Sequence, residues 1–252
     1  MANTKSTSLN GTSQFWSIAD GTQSGLEPAG SFSIEAWIYT ADISTKAYIF
    51  SKDAAGQRAH QMYIRSSICY YYINDTSVGS TTASLSADTW HHVAMTYDFK
   101  TNGTSVITMY LDGVQSGTPN TSAVGPLVSS TSAVQIGARE YSGYRDWFGG
   151  LIDEVRFWSD VRTAQEISDN YQKELDGDEA NLVSYWKFND DGTDSQTAGN
   201  NDLTNNNTAT FSSDVPNWST TSIKSINGLA YASVKSKNGL AIADIKSING
   251  LA

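Results

Sequence analysis

The chain reads as an all-β protein, an antiparallel β-sandwich with one short helix and a C-terminal tail of β-repeats. Three observations carry that reading. Runs alternating apolar and polar residues recur along the chain, as strands with one buried face require. Charged residues are only 17% of a composition rich in Gly, Ser, Thr and Asn, which suits short strands joined by polar turns rather than a helical bundle. One short helix is expected, from the capping box Thr163 to Glu166. At 252 residues the chain is long for one domain, yet all-β sandwiches reach this size undivided.

The strands follow in order. Phe32 to Tyr39 alternates at period two, and Ile68 to Ile73 is apolar with three consecutive tyrosines that must face alternate sides of a strand. His91 to Tyr97 follows and ends near Asn102-Gly103. Ser105 to Leu111 meets Asp112-Gly113, a hairpin turn that tolerates positive φ. Val134 to Gly137 and Gly150 to Trp158 are further strands. Thr163-Ala164-Gln165-Glu166 is a capping box, with Thr163 as N-cap and Glu166 at the third helical position. Ile167 and Tyr171 share one face of the helix, which the pattern ends near Leu175-Asp176-Gly177. Leu182 to Phe188 is a last strand before the polar stretch 189–210.

The tail repeats an octapeptide every 11 residues, starting at Ile223, Val234 and Ile245. Asn227-Gly228, Asn238-Gly239 and Asn249-Gly250 are tight-turn dipeptides. Each unit reads as strand, turn, strand, because Gly and β-branched residues oppose helix. The organisation expected is a sandwich over 1–218 and three β-repeats over 219–252. A tail this small buries no core alone, so Ile223, Leu229, Val234, Leu240, Ile245 and Leu251 are expected to pack on other subunits, of the same chain or another. The alternative is a flexible basic tail.

The formal charge is −10, and the tail from Ser219 carries +3 of the opposite sign. An acidic head argues against nucleic acid, which needs a basic field. No segment is long and apolar enough to span a membrane, and the polar start, Met1 to Ser6, has no apolar stretch of signal-peptide length. A virion component needs no such signal. The single cysteine, Cys69, lies in an apolar run and reads as a core thiol.

Several segments taken in order resemble the laminin-G-like, concanavalin A-like jelly-roll domains. They include Leu9 to Ile18, Ser31 to Ile38, Trp90-His91-His92 to Asp98, Met109 to Gly113, and Phe148-Gly149-Gly150-Leu151-Ile152-Asp153-Glu154-Val155-Arg156-Phe157-Trp158. The resemblance covers roughly residues 8–210 and implies a jelly-roll sandwich. The fold hosts lectins, adhesive modules, glycan hydrolases and passive spacers, so it leaves function open. The tail is similar to Asn-Gly-Leu-Ala repeats of phage and microbial surface proteins.

The resemblance also implies a structural Ca²⁺ site, with Asp153 as the carboxylate and backbone carbonyls near Asn10 and Gly30. A hard cation takes such oxygen ligands. The alternative is that Asp153 and Glu154 flank a strand and pair with Arg156 or solvent. Asn189 to Asp194 is loosely like a calcium loop, but it lacks the closing Glu and reads better as an Asx-rich turn.

Glu174-Leu175-Asp176-Gly177-Asp178-Glu179 has the spacing of a bulged glucanase motif. It follows the helix and contains Gly177, so it reads as a helix end and turn. His60, His91 and His92 form no metal spacing.

Sugar binding needs exposed rings beside hydrogen-bonding groups. The loop Tyr141, Tyr144, Arg145, Asp146, Trp147 offers both. Trp147 alternatively belongs to the packed fold motif. The function expected is a non-enzymatic, surface-exposed adhesive or structural protein, virion-associated or extracellular, whose sandwich binds glycan or spaces and whose repeats assemble. The alternatives are a Ca²⁺-dependent lectin and, less favoured, a glycan hydrolase.

Overall fold

The computed structural model describes residues 3–54, 57–74, 76–101, 103–121, 125–141 and 144–218, and in the tail 225–226, 229–230, 236–237 and 240–241. The chain divides into two compact units, Met1–Asn217 and Trp218–Ala252.

In the first unit the strands are β1 (Ser6–Asn10), β2 (Phe15–Ile18), β3 (Phe32–Tyr39), β4 (Ala47–Ala54), β5 (Gln57–Arg65), β6 (Ile68–Ile73), β7 (Thr76–Ser80), β8 (His91–Asp98) and β9 (Val106–Leu111). They continue with β10 (Val114–Gln115), β11 (Val134–Ile136), β12 (Ala138–Tyr141), β13 (Tyr144–Trp147), β14 (Gly149–Trp158), helix α1 (Ala164–Asn170), β15 (Leu182–Trp186), β16 (Thr204–Asn206) and β17 (Thr210–Ser212). One sheet has the order β10-β9-β8-β3-β14-β1-β17, with β15 also on β14; the other runs β16-β2-β11-β4-β5-β6-β7. All the pairings are antiparallel, and the two sheets form the jelly-roll sandwich.

The core lies between the sheets. Phe32 and Phe157 of the first sheet stack at 5.6 Å, and Phe50 and His60 of the second stack at 5.2 Å. His60 is fully buried among these rings; its Nδ1 meets the Tyr71 hydroxyl at 2.9 Å and its Nε2 the Leu26 carbonyl at 3.1 Å. Because a carbonyl only accepts, Nε2 carries the proton and Nδ1 accepts from Tyr71. Burial, the largest influence, pulls this imidazole down to about 3, so it stays neutral at pH 7. Cys69 is buried in the same core, and burial pushes its thiol up to about 12, as suits a packing residue.

Two turns show why particular residues stand where they do. Asp112 (φ 51°) and Gly113 (φ 76°) join β9 to β10 with positive φ at both positions, which a two-residue hairpin of this twist requires. At Gly150, a Cβ would lie 2.1 Å from the Tyr39 carbonyl, so only glycine lets β14 run this close to β3.

Helix α1 starts as read, with the reciprocal Thr163–Glu166 capping box. It ends at Asn170, short of the 175–177 expected. The Arg156 guanidinium takes the carbonyls of Asn170 and Lys173, so these turn toward Arg156 as the chain leaves the helix. The polar stretch 189–210 also hides β16, which pairs with β2. Asp194 accepts from the amides of Tyr185 and Gln196, and Asp191 from that of Thr193, so this acidic segment is a set of Asx turns. Glu174 to Glu179 lies in no strand; Glu179 accepts from the amides of Asp176 and Gly177.

In the second unit, β18 (Ser225–Ile226) pairs with β19 (Leu229–Ala230) and β20 (Ser236–Lys237) with β21 (Leu240–Ala241). Ile223, Val234, Ile245 and Leu251 lie outside the described residues. Leu229 and Leu240 lie in these strands, with backbone alone described. Among the described residues no helix is long and apolar enough to cross a membrane.

Candidate functional site

The outer faces of the two sheets differ. That of the first sheet is closed by α1 and the segment leading into β15. Trp37 stacks on Tyr171 at 5.8 Å, and Ile167 packs with Ala94 and Tyr110. Beneath this cover lies a charged network. Arg156 donates to Glu154 at 2.8 Å and approaches Glu35 at 3.7 Å. Glu35 also accepts from Trp158 (2.8 Å) and lies 2.9 Å from His92. Tyr185 donates to Glu154.

Burial alone would raise the Glu35 carboxyl, but the Arg156 charge and the His92 and Trp158 hydrogen bonds outweigh it, bringing it to about 2. For Glu154 burial prevails over Arg156 and Tyr185 and its carboxyl is raised. Asp153 is raised well above the usual range by burial and by the neighbouring Glu154 charge. Glu154 also has φ 52°, within the bulge between Asp153 and Arg156. All four ionisable groups, Glu35, Asp153, Glu154 and Arg156, are 4% exposed or less. They lie beneath the cover, and Arg156 ties it to the sheet through the carbonyls of Asn170 and Lys173.

The implied calcium set does not converge. Asn10 pairs with Gly149, four residues along β14 from Asp153. Gly30 precedes β3, whose Ser33 pairs with Trp158 at the opposite end of β14. At about 3.3 Å per residue, Asn10 lies about 13 Å from the level of Asp153 and Gly30 beyond the far end. Ca²⁺ needs all its oxygens within about 2.6 Å. The Asp153 oxygens instead accept from Asn3 Nδ2 (2.7 Å) and the Glu154 amide (2.9 Å). The pairing of Glu154 with Arg156, weighed as the alternative, is present.

The outer face of the second sheet is covered over β4 and β5, where Tyr48, Ser51, Gln61 and Tyr63 are buried, and partly open at β6. Alternation along β6 sends Cys69, Tyr71 and Ile73 inward and leaves Tyr70 and Tyr72 half-buried on the outer side. Tyr70 pairs across the strands with Tyr63, which pairs with Tyr48. Tyr63 stacks on Tyr70 at 5.3 Å with planes 15° apart, and lies 5.7 Å from Tyr72 and 5.0 Å from Tyr48. Lys46 Nζ sits 4.6 Å above the Tyr63 ring. A polar row crosses the sheet beside these rings: Ser17, Gln135, Ser51, Gln61 and Tyr72 are successive cross-strand neighbours. Gln61 Nε2 and Gln135 Oε1 are buried without a hydrogen-bond partner.

The hairpin β12–β13 folds over β4 on this face. Ser51 Oγ donates to the Ala138 carbonyl (2.8 Å), and Arg139 donates to the Tyr48 hydroxyl (2.9 Å) and to Asp53. This hairpin carries the expected sugar-binding loop. Arg145 pairs with Glu140 and lies over the rings of Phe15 (4.9 Å) and Trp147 (5.5 Å). Asp146 is 3.8 Å from Arg139. Trp147 is half-buried against Phe15 at 5.6 Å. The side chains of Tyr141 and Tyr144 lie outside the described residues. Arg145 and Asp146 are therefore engaged within the hairpin, and the loop sits on the same face as the tyrosines.

Period two puts the rings of Tyr70, Tyr71 and Tyr72 on alternate sides of β6, but nothing local in the sequence brings Tyr48, Tyr63, Gln61 and Gln135 beside them. The alternation in Gln57–Arg65 was the available signal, and pairing of that strand with Tyr70-Tyr71-Tyr72 is a long-range fact.

With the sandwich and this face established, the comparisons place the chain. It belongs to the concanavalin A-like lectin/glucanase superfamily, whose laminin-G model matches residues 10–168. A sequence search of curated proteins finds no match. Similar solved structures share the fold. A Bacteroides ovatus protein described as carbohydrate binding superposes with a TM-score of 0.66 at 19% identity, over 84% of this chain; the chain spans 60% of that protein. The CBM40 module of a Ruminococcus gnavus sialidase, bound to α2,3-sialyllactose, gives 0.52 at 14% identity, over 64% of this chain and 95% of the module. A heptameric pentraxin of Limulus polyphemus gives 0.50 at 16%, over 66% and 81%.

Proposed function

We propose that the sandwich is a non-enzymatic carbohydrate-binding module that uses the outer face of its second sheet. One observation carries this reading. Two half-buried rings, Tyr70 and Tyr72, are held in place by the buried Tyr63 at the partly open edge of this face. A sugar offers apolar C–H faces to such rings, and a preorganised ring loses little entropy on binding. Membership of a superfamily that includes lectins supports it, as does the sialyllactose bound to one fold neighbour. The inaccessible carboxylates of the first sheet favour binding over hydrolysis.

Glycan-array binding followed by calorimetry tests the site. Tyr72→Ala is expected to weaken binding about tenfold, near 1.4 kcal/mol, without changing the melting temperature by more than a few degrees. EDTA is expected to leave the affinity unchanged, since no predicted calcium ligands converge. Full affinity in the variant would move the site elsewhere.

In this proposal the head displays the sugar site on a virion or other extracellular surface, and the tail repeats join subunits or attach them. Short strand pairs expose unpaired edges, which seek neighbours. Cutting the chain after Trp218 is expected to leave a folded monomeric head that no longer assembles, read by light scattering. A truncated head that assembles like the full chain would place the assembly surface on the sandwich.

A further inference from the structure

Beside the tyrosines the two sheets approach at one margin, where β7 meets β9. A cleft of about 350 Å³ opens there, lined by Gly79, Ser80, Thr82, Ile107, Met109, Gly117, Thr118 and Asn120. This is the small end of the about 300–1,000 Å³ range of ligand pockets. Met109 and Ile107 are buried and give it an apolar floor, while Ser80, Thr82 and Thr118 are exposed hydroxyls. No charged side chain is among these residues.

Two glycines keep the cleft open. A Cβ at Gly79 would lie 3.0 Å from the Met109 side chain, and one at Gly117 (φ 95°) would lie 2.8 Å from Thr82. The wall is tied in place: Ser116 Oγ accepts from the amides of Thr82 and Ala83. Ser80 is also the direct cross-strand partner of Tyr70. Cross-strand neighbours share a face with Cβ atoms about 5 Å apart. Ser80 thus shares the face of the half-buried tyrosines, whereas Gly79 pairs with the inward Tyr71, so the cleft floor lies on the core side of β7, one strand beyond Tyr70.

We propose that this cleft is a second, uncharged sugar subsite continuous with the tyrosine face, so that the ligand class is a neutral oligosaccharide rather than a single sugar. The proposal rests on the carbohydrate reading above. One unit stacks on Tyr70 and Tyr72, and the next turns over β7 so that its hydroxyls meet Ser80, Thr82 and Thr118 and its apolar face meets Met109. Neutral hydroxyl side chains suit uncharged hydroxyls; a carboxylated sugar would find no cation in the cleft.

The test is calorimetry of the full chain with neutral gluco-, xylo-, manno-, galacto- and arabino-oligosaccharides of one to five units. Affinity for the bound series is expected to rise at least tenfold between one unit and three. Thr118→Trp, at an exposed rim position, is expected to remove that increment while leaving the affinity for the shortest ligand unchanged. Thr118→Ser is expected to keep it. Tyr72→Ala is expected to weaken every length. An increment that survives Thr118→Trp, or affinity that does not grow with length, overturns the cleft while the tyrosine site stands. No binding in any series overturns both.

Discussion

Replacing Arg156 with methionine is expected to destabilise the sandwich by roughly 3–5 kcal/mol, the cost of stranding a buried charge. The side chain is 1% exposed and lies between Glu35 and Glu154, while also bonding the carbonyls of Asn170 and Lys173. Methionine fills much of the volume but leaves Glu35 and Glu154 without their counter-charge and the carbonyls of Asn170 and Lys173 without their donor. Urea unfolding gives the number. Adding Glu154→Gln to Arg156→Met is expected to recover part of the loss, because one of the stranded charges is gone. A single variant that loses under about 1 kcal/mol would mean that the network is not what secures the cover.

The second large effect is an acid limb of stability set by His60. Its folded pKa, about 3, lies below the unfolded value of 6.5. The unfolded chain thus takes up a proton first. The stability is complete above pH 6.5 and is lost as pH falls toward 3, by roughly 5 kcal/mol in all. Glu35, also depressed, loses its contribution lower, between pH 4.5 and about 2. Asp153 and Glu154 are raised and act oppositely: their contribution is present at low pH and lost as pH rises. Wild type alone therefore mixes the two signs. The difference between wild type and His60→Gln isolates the imidazole, since glutamine can donate to the Leu26 carbonyl and accept from Tyr71. That difference is expected to shrink by about 1.4 kcal/mol per pH unit between pH 6 and 4. A gap that stays constant would show that His60 titrates normally.

Much of the fold was legible because local chemistry and long-range packing agree. Phe32–Tyr39, the Asp112-Gly113 turn and the Thr163–Glu166 capping box each encode their conformation within a few residues. Where the signal is carried by distant partners, local reading failed. Helix α1 ends early because Arg156, from another strand, takes its carbonyls. The calcium set was carried by resemblance alone, and the register of β1 and β3 along β14 separates its members. Tyr70 and Tyr72 could be assigned to one face from period two, but not joined to Tyr63 and Tyr48, since only the pairing of β4, β5 and β6 does that. The cleft was invisible, because its walls come from β7 and from the chain following β9, which meet only when the sandwich closes.

The pairing of β1 with β17 sets how the sandwich bears mechanical load. Ser6 pairs with Ser212, so the chain enters and leaves that margin at the same end of an antiparallel pair. Tension applied between those two points peels β17 from β1 one rung at a time, a low-force path, because antiparallel rungs lie across the strands and open in sequence. As a link stretched between its two ends the sandwich is weak. A tether at one end, with the opposing pull entering through a sugar on the second sheet, does not load that pair as a zipper. The strand order thus suits a grip that hangs from a single attachment rather than a segment of a cable.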